Sequence, residues 1–119
     1  MEQTKSAPHK QEVCTDRDVE WMQCSVEEVL DVIGAKWSFL ILRDLIEGPK
    51  RFGELLQSLK GASPKTLSVR LKELERHGIV TRTVYPEIPP KVEYALTEKG
   101  LDLKPIFREM KKWGCKWLK

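Results

Sequence analysis

Two sets of side chains in this sequence could do chemistry. The first is a run of hydroxyls and cations from Ser63 to Lys72: Ser63, Lys65, Thr66, Ser68, Arg70 and Lys72, with the apolar Val69 among them. Such donors suit phosphate oxygens and the polar edges of bases. The second is three thiols, Cys14, Cys24 and Cys115. An odd count argues against a disulfide scaffold. There is no CxxC and no clustered histidine, so no metal site is expected. His9 and His77 sit in a polar tail and at a helix end and read as solvated. No glycine-rich phosphate loop and no nucleophile–base pair is visible, so neither an enzyme nor a cofactor is expected.

The first set needs a scaffold, and the stretch GASPKTLSVRLKELERHG (residues 61–78) supplies one. Ser63 suits the N-cap, where its oxygen accepts from a first-turn N–H. Pro64 suits the first helical position, and Gly78 the left-handed residue beyond the last turn. Leu67, Leu71 and Leu74 fall on one stripe, so that face is buried. Lys65, Thr66, Val69 and Lys72, with Ser68 beside them, face the other way. Val69 gains little there on a purely structural helix, whereas in a major groove it can touch a thymine methyl. The helix N-terminus is a ready phosphate site beside Ser63. Arg70, at the flank of the buried stripe, is either a phosphate clamp or an ion-pair partner of Glu73 or Glu54.

Charge is distributed to match. The 119 residues carry a net +3, but residues 50–91 hold nine basic side chains against four acidic ones, leaving the remainder at −2. That concentration fits a phosphate-facing surface; the plain alternative is a solvated face rich in lysine. At 40% hydrophobic the chain can bury a small core. No apolar run approaches the ~20 residues a membrane helix needs. The N-terminal stretch lacks the apolar segment of a secretory signal, so no membrane association and a cytoplasmic location are expected.

The other elements surround this helix. Residues 1–18 read as a polar tail and residues 19–119 as one domain. Ser25 and Glu28 form a capping box, opening a helix whose buried side is Val26, Val29, Leu30 and Ile33 and which ends at Gly34. Residues 37–47 make a second helix, stopped by Gly48-Pro49. A third, near residues 53–59, packs through Leu55, Leu56 and Leu59. The turn Lys60-Gly61-Ala62 then leads into the Ser63 helix, which makes a helix-turn-helix. Strands follow over Ile79–Tyr85 and over the alternating Val92, Tyr94 and Leu96. The loop between them holds three prolines. A helix-turn-helix followed by such a hairpin is a winged helix, with Arg82 and Lys91 as candidate phosphate contacts. The expected class is therefore α+β, mainly helical, with a two-stranded wing.

A last helix, capped by Thr97, should run from about Glu98 towards Trp117, bent or interrupted at Pro105. It carries Leu103, Ile106, Phe107, Met110, Trp113 and Trp117 on one apolar face. So small a domain has little surface with which to cover that face. With Trp21 and Met22 it is expected to pair with a second subunit; packing on the domain's own core is the alternative.

These residues resemble the HxlR-type family of bacterial winged-helix transcription regulators, relatives of the MarR group. The resemblance is carried by Cys24-Ser25-Val26-Glu27, Gly34-Ala35-Lys36-Trp37, Arg51-Phe52-Gly53-Glu54-Leu55 and the segment Leu67 to Glu75. It continues through Tyr85 to Tyr94, Leu96-Thr97-Glu98-Lys99-Gly100 and Trp113-Gly114. The wing Pro-Pro-x-Val-Glu-Tyr followed by Leu-Thr-x-x-Gly is its most specific part. Ala62 departs from the isoleucine common before the serine, which should trim packing only.

The resemblance implies a homodimer on a roughly palindromic double-stranded DNA operator, and sensing of oxidants or electrophiles by a cysteine at position 24. Cys24 precedes a helix start, whose partial positive charge favours thiolate, while Glu27 and Glu28 oppose this. The family dimer brings the N-terminal region of one chain near the final helix of the other, so Cys115 of the partner could resolve an oxidised Cys24; Cys14 competes for that role. Three readings result: a thiol-responsive DNA-binding regulator, a ligand-gated or constitutive one with inert cysteines, and a protein–protein module that uses the wing without DNA.

Overall fold

The computed structural model describes residues 26–119, which belong to two compact units divided between Ala35 and Lys36. The tail, Cys14, Trp21, Met22, Cys24 and Ser25 lie outside the described residues. Of the first unit the described part is helix α1 (Glu27–Ile33), with Val26 at its N-cap and Gly34 closing it through an N–H···O bond to Leu30 of 2.8 Å. Of the apolar residues expected on its buried side, Ile33 is buried, whereas Val29 and Leu30 are exposed.

The second unit contains α2 (Lys36–Ile46), β1 (Lys50–Arg51), α3 (Phe52–Ser58), α4 (Pro64–Arg76), β2 (Val80–Tyr85), β3 (Lys91–Leu96), α5 (Glu98–Leu101) and α6 (Lys104–Trp117). Apolar periodicity explains its core. Ile41, Leu42 and Leu45 of α2, Leu55 and Leu59 around α3, and Leu67, Leu71 and Leu74 of α4 are all nearly or fully excluded from solvent. Ile79, Val80 and Tyr94 close the core from the sheet side. This is a winged helix-turn-helix, mainly helical with a small antiparallel sheet.

The sheet has three strands in the order β1-β3-β2, so the expected two-stranded wing gains a short third member. Lys50 and Arg82 flank Tyr94 from either side, and Arg51 and Thr83 flank Glu93. Strand pairing alternates the faces, so Arg82 shares Tyr94's face, the one turned to α4.

One buried carboxylate ties the end of α3 to α2. Asp44 is buried, and its Oδ2 accepts from the Ser58 hydroxyl at 2.6 Å at the end of α3. Its Oδ1 accepts from Arg43 Nε and Nη2 at 3.2 and 3.1 Å. The turn that follows is tight: Gly61 has φ +101°, a region that L side chains rarely adopt.

Proline interrupts the C-terminal helix as the sequence suggests. Helix α5 ends at Leu101, and α6 starts afresh with Pro105 in its first turn, where its missing N–H costs nothing.

Candidate nucleic-acid interface

Helix α4 is held rigidly at both ends. Ser63 Oγ accepts from the Thr66 N–H at 3.1 Å and donates to Thr66 Oγ1 at 3.0 Å. At the other end Gly78 takes φ +74°. Its N–H donates to Glu75 O at 3.0 Å and the Ile79 N–H donates to Leu74 O at 3.0 Å, the paired bonds of a Schellman closure.

With the leucines buried, the outward stripe of α4 is Lys65, Val69, Lys72 and Arg76, all exposed, at spacings of four, three and four residues. Val69 is 42% exposed, a large apolar side chain left in solvent at the centre of this stripe. Thr66 and Ser68 flank it and are half-buried.

Ion pairing sorts the basic residues into two groups. Lys50 pairs with Glu47, Arg76 with Glu73 at 2.7 Å, and Lys91 with Glu93 at 3.5 Å. Lys65, Arg70, Lys72 and Arg82 have no ion pair or hydrogen bond among the described residues. The ion-pair alternative for Arg70 is therefore corrected: Arg76 takes Glu73, and Glu54 accepts from the Arg51 backbone N–H at 2.7 Å. Lys91 is occupied twice, since its ammonium also lies 4.9 Å from the Tyr85 ring centroid.

The fold brings Arg82 to α4. A polar cleft of about 280 Å³ is lined by Ser68, Leu71, Lys72, Glu75, Arg82 and Tyr94. Ser68 and Lys72, one turn apart on α4, and Arg82 of β2 thus border one depression between helix and wing. Glu75, which sequence reasoning did not place at the site, lies seven residues after Ser68 on the same helical row, the spacing that could have found it. An exposed helix with unpaired cations beside a cationic strand can neutralise phosphates along a groove while its centre meets base edges.

The C-terminal apolar face is located as well. No residue of α6 is buried. Ile106, Met110, Trp113 and Trp117 are exposed, the two tryptophans by 60% and 63%. Leu103 and Phe107 are half-buried, and Phe107 packs edge-on against Phe39 of α2 with ring centroids 4.6 Å apart. An apolar cleft of about 620 Å³ opens between α2 and α6, with Phe39, Ile46, Phe107 and Met110 in its lining. Cys115 is a free, exposed thiol on α6. Among the described residues no helix is long and apolar enough to cross a membrane.

The model of the HxlR-like helix-turn-helix family matches residues 32–119. The chain is 50% identical over 95 residues to an uncharacterised HTH-type transcriptional regulator of Synechocystis sp., sll1512, a match covering 80% of this chain and 70% of that one. The solved structure of the reduced transcriptional regulator YodB from Bacillus subtilis is 45% identical, with a TM-score of 0.71, covering 76% of this chain and 89% of that one. YodB has also been solved diamide-treated and quinone-bound. The redox regulator HypR in its reduced form is 47% identical, with a TM-score of 0.73, covering 76% and 90%. The protein belongs to the HxlR-like helix-turn-helix family. It is a transcriptional regulator built on a DNA-binding winged helix, and its relatives are regulators, not enzymes.

Proposed function

We propose that this regulator binds a roughly palindromic operator as a homodimer, with α4 in the major groove and the wing over the neighbouring backbone, and that thiol chemistry controls its affinity. The observation that carries the DNA part is a cluster of cations without an ion pair among the described residues: Lys65 and Lys72 on the outward stripe of α4, Arg70 on its flank and Arg82 across the cleft, whereas Arg76 and Lys91 nearby are paired with Glu73 and Glu93. Ser63 and the helix N-terminus meet a phosphate, Thr66 and Ser68 reach backbone or base edges, and Val69 meets a thymine methyl. Lys91, occupied by Glu93 and Tyr85, chiefly stiffens the wing and contributes less to binding.

The dimer uses the exposed face of α6, with Ile106, Met110, Trp113 and Trp117 at its centre, Leu103 and Phe107 at its edge, and Trp21 and Met22 completing it from the N-terminal region. Exposed apolar surface of that extent marks an interface. The thiol reading is supported by similarity to YodB and HypR, solved in forms named reduced, oxidised, diamide-treated and quinone-bound. Cys24 is the reactive thiol and the partner's Cys115, exposed on α6, resolves it. Hydrogen peroxide converts the Cys24 thiolate to a sulfenic acid: the O–O bond breaks, one oxygen joins sulfur and hydroxide leaves. The Cys115 thiol then condenses with it, forming the disulfide and expelling water.

Footprinting tests the whole reading. Reduced protein should protect two half-sites about one helical turn, roughly 34 Å, apart on a duplex it selects from a random-sequence pool. Peroxide should change that protection, and dithiothreitol should restore it. A single protected half-site contradicts the dimer, and indifference to peroxide contradicts thiol control.

A further inference from the structure

The segment Leu96-Thr97-Glu98-Lys99-Gly100 lies outside the DNA-facing surface, yet Thr97 and Lys99 donate to the carbonyls at the C-terminal end of α4 and Gly100 packs against one of them. The Thr97 N–H donates to Ile79 O at 2.9 Å. The Thr97 hydroxyl donates to Gly78 O at 2.6 Å, and its oxygen accepts from the Gly100 N–H at 3.1 Å. Lys99 Nζ donates to His77 O at 2.8 Å. Gly100 is buried, and a Cβ there would stand 2.5 Å from Ile79 O, so only glycine permits this approach.

The acceptors are the carbonyls at and just beyond a helix end, groups that water can satisfy in an exposed helix. Here the residues that open α5 satisfy them, and the Lys99 ammonium also complements the negative end of the α4 dipole. From α5 the connection continues without slack. Leu103 N–H donates to Gly100 O at 3.1 Å and Phe107 N–H to Leu103 O at 3.0 Å, so backbone bonds run from the clamp into α6. Helix α6 is fourteen residues long, a rod of roughly 21 Å.

We propose that Thr97, Lys99 and Gly100 are positioning residues for operator recognition: they fasten the root of α6 to the end of the recognition helix, so the spacing between the two recognition helices of a dimer follows the placement of α6. This deepens the dimeric operator reading and rests on it. Any displacement imposed at the dimer helices reaches α4 through this clamp. Without the clamp, α4 keeps its leucine stripe and its own Schellman closure, so it still folds and still binds one half-site.

The test uses the full-length protein and duplexes selected by it from a random-sequence pool. These are rebuilt with the half-sites at the selected spacing, with one or two base pairs added or removed, and as a single half-site. The wild type should show a sharp spacing optimum. The double variant Thr97→Val with Lys99→Met should lose roughly tenfold of that discrimination, within the range of couplings between linked sites, with single half-site affinity unchanged. Thr97→Ser and Lys99→Arg should each keep the optimum. A double variant with the wild-type spacing profile overturns the proposal. So does one that loses affinity equally for every duplex, single half-site included, because that is a merely structural effect. A wild type with no spacing optimum would instead remove the dimeric reading, and this inference with it.

Discussion

The ammonium of Lys91 lies 4.9 Å from the centroid of the Tyr85 ring, its direct partner across the β2–β3 pair, and 3.5 Å from the Glu93 carboxylate. Arg82, on the same hairpin, has neither kind of partner among the described residues and faces the cleft beside Lys72. Two wing cations that look equivalent in the sequence are therefore unequal. Arg82→Ala should weaken DNA binding uniformly across sequences and reduce the slope of log affinity against log salt by about 1. Lys91→Ala should leave that slope nearly unchanged. Filter binding over a salt series measures both, and equal slopes for the two variants would refute the distinction.

Why the sequence did not separate them is a matter of range. The signals for α4 are local: Ser63, Pro64, the three leucines and Gly78 lie within one element, and each takes its expected place. Cross-strand partners depend on register, which a three-proline loop does not reveal, so the fate of Lys91 stayed hidden. Strand β1 was illegible for the same reason: two residues, Lys50 and Arg51, acquire strand character only through pairing with Tyr94 and Glu93. Asp44 reads as a polar position on an amphipathic helix, and its burial follows from Ser58, fourteen residues away. Pro105, whose effect on a helix is local, marked the interruption between α5 and α6 correctly.

Asp44 carries a stability prediction. Asp44→Ala removes the acceptor of the Ser58 hydroxyl and of Arg43; both donors are exposed and can turn to water, so the cost should be the net worth of the hydrogen bonds, about 0.5–1.5 kcal/mol. Urea unfolding at neutral pH should show a lower midpoint with an unchanged slope. Asp44→Asn, which keeps one acceptor oxygen, should cost less. An alanine variant as stable as the wild type would mean that the network contributes nothing net.

The proposed dimer face can be probed without touching the core. Phe107 packs on Phe39, so Phe107→Asp would damage the fold as well as any interface. Met110 and Trp113 are exposed by 51% and 60%, and Met110→Asp or Trp113→Asp should yield folded monomers with greatly weakened operator binding. Sedimentation together with circular dichroism separates dissociation from unfolding. A folded monomer with wild-type operator affinity would contradict the dimeric reading.

The thiol proposal predicts a particular crosslink. After peroxide or quinone treatment, non-reducing gels of wild-type protein should show a dimer that dithiothreitol reverses in the peroxide case. Cys24→Ser should abolish the peroxide crosslink, as should Cys115→Ser, while Cys14→Ser should keep it. A crosslink that survives Cys115→Ser overturns the assignment of Cys115 as the resolving thiol.

Two substitutions on the outward stripe of α4 test whether that stripe reads DNA. Lys72→Ala and Val69→Ala are titrated against the selected duplex and against single-base variants of it, over a salt series. Lys72→Ala should lose affinity similarly for every sequence, with a salt slope shallower by about 1. Val69→Ala should keep the wild-type slope and lose discrimination at a single A·T pair in each half-site. Wild-type affinity, slope and sequence preference in both variants would place the recognition surface elsewhere and contradict the account.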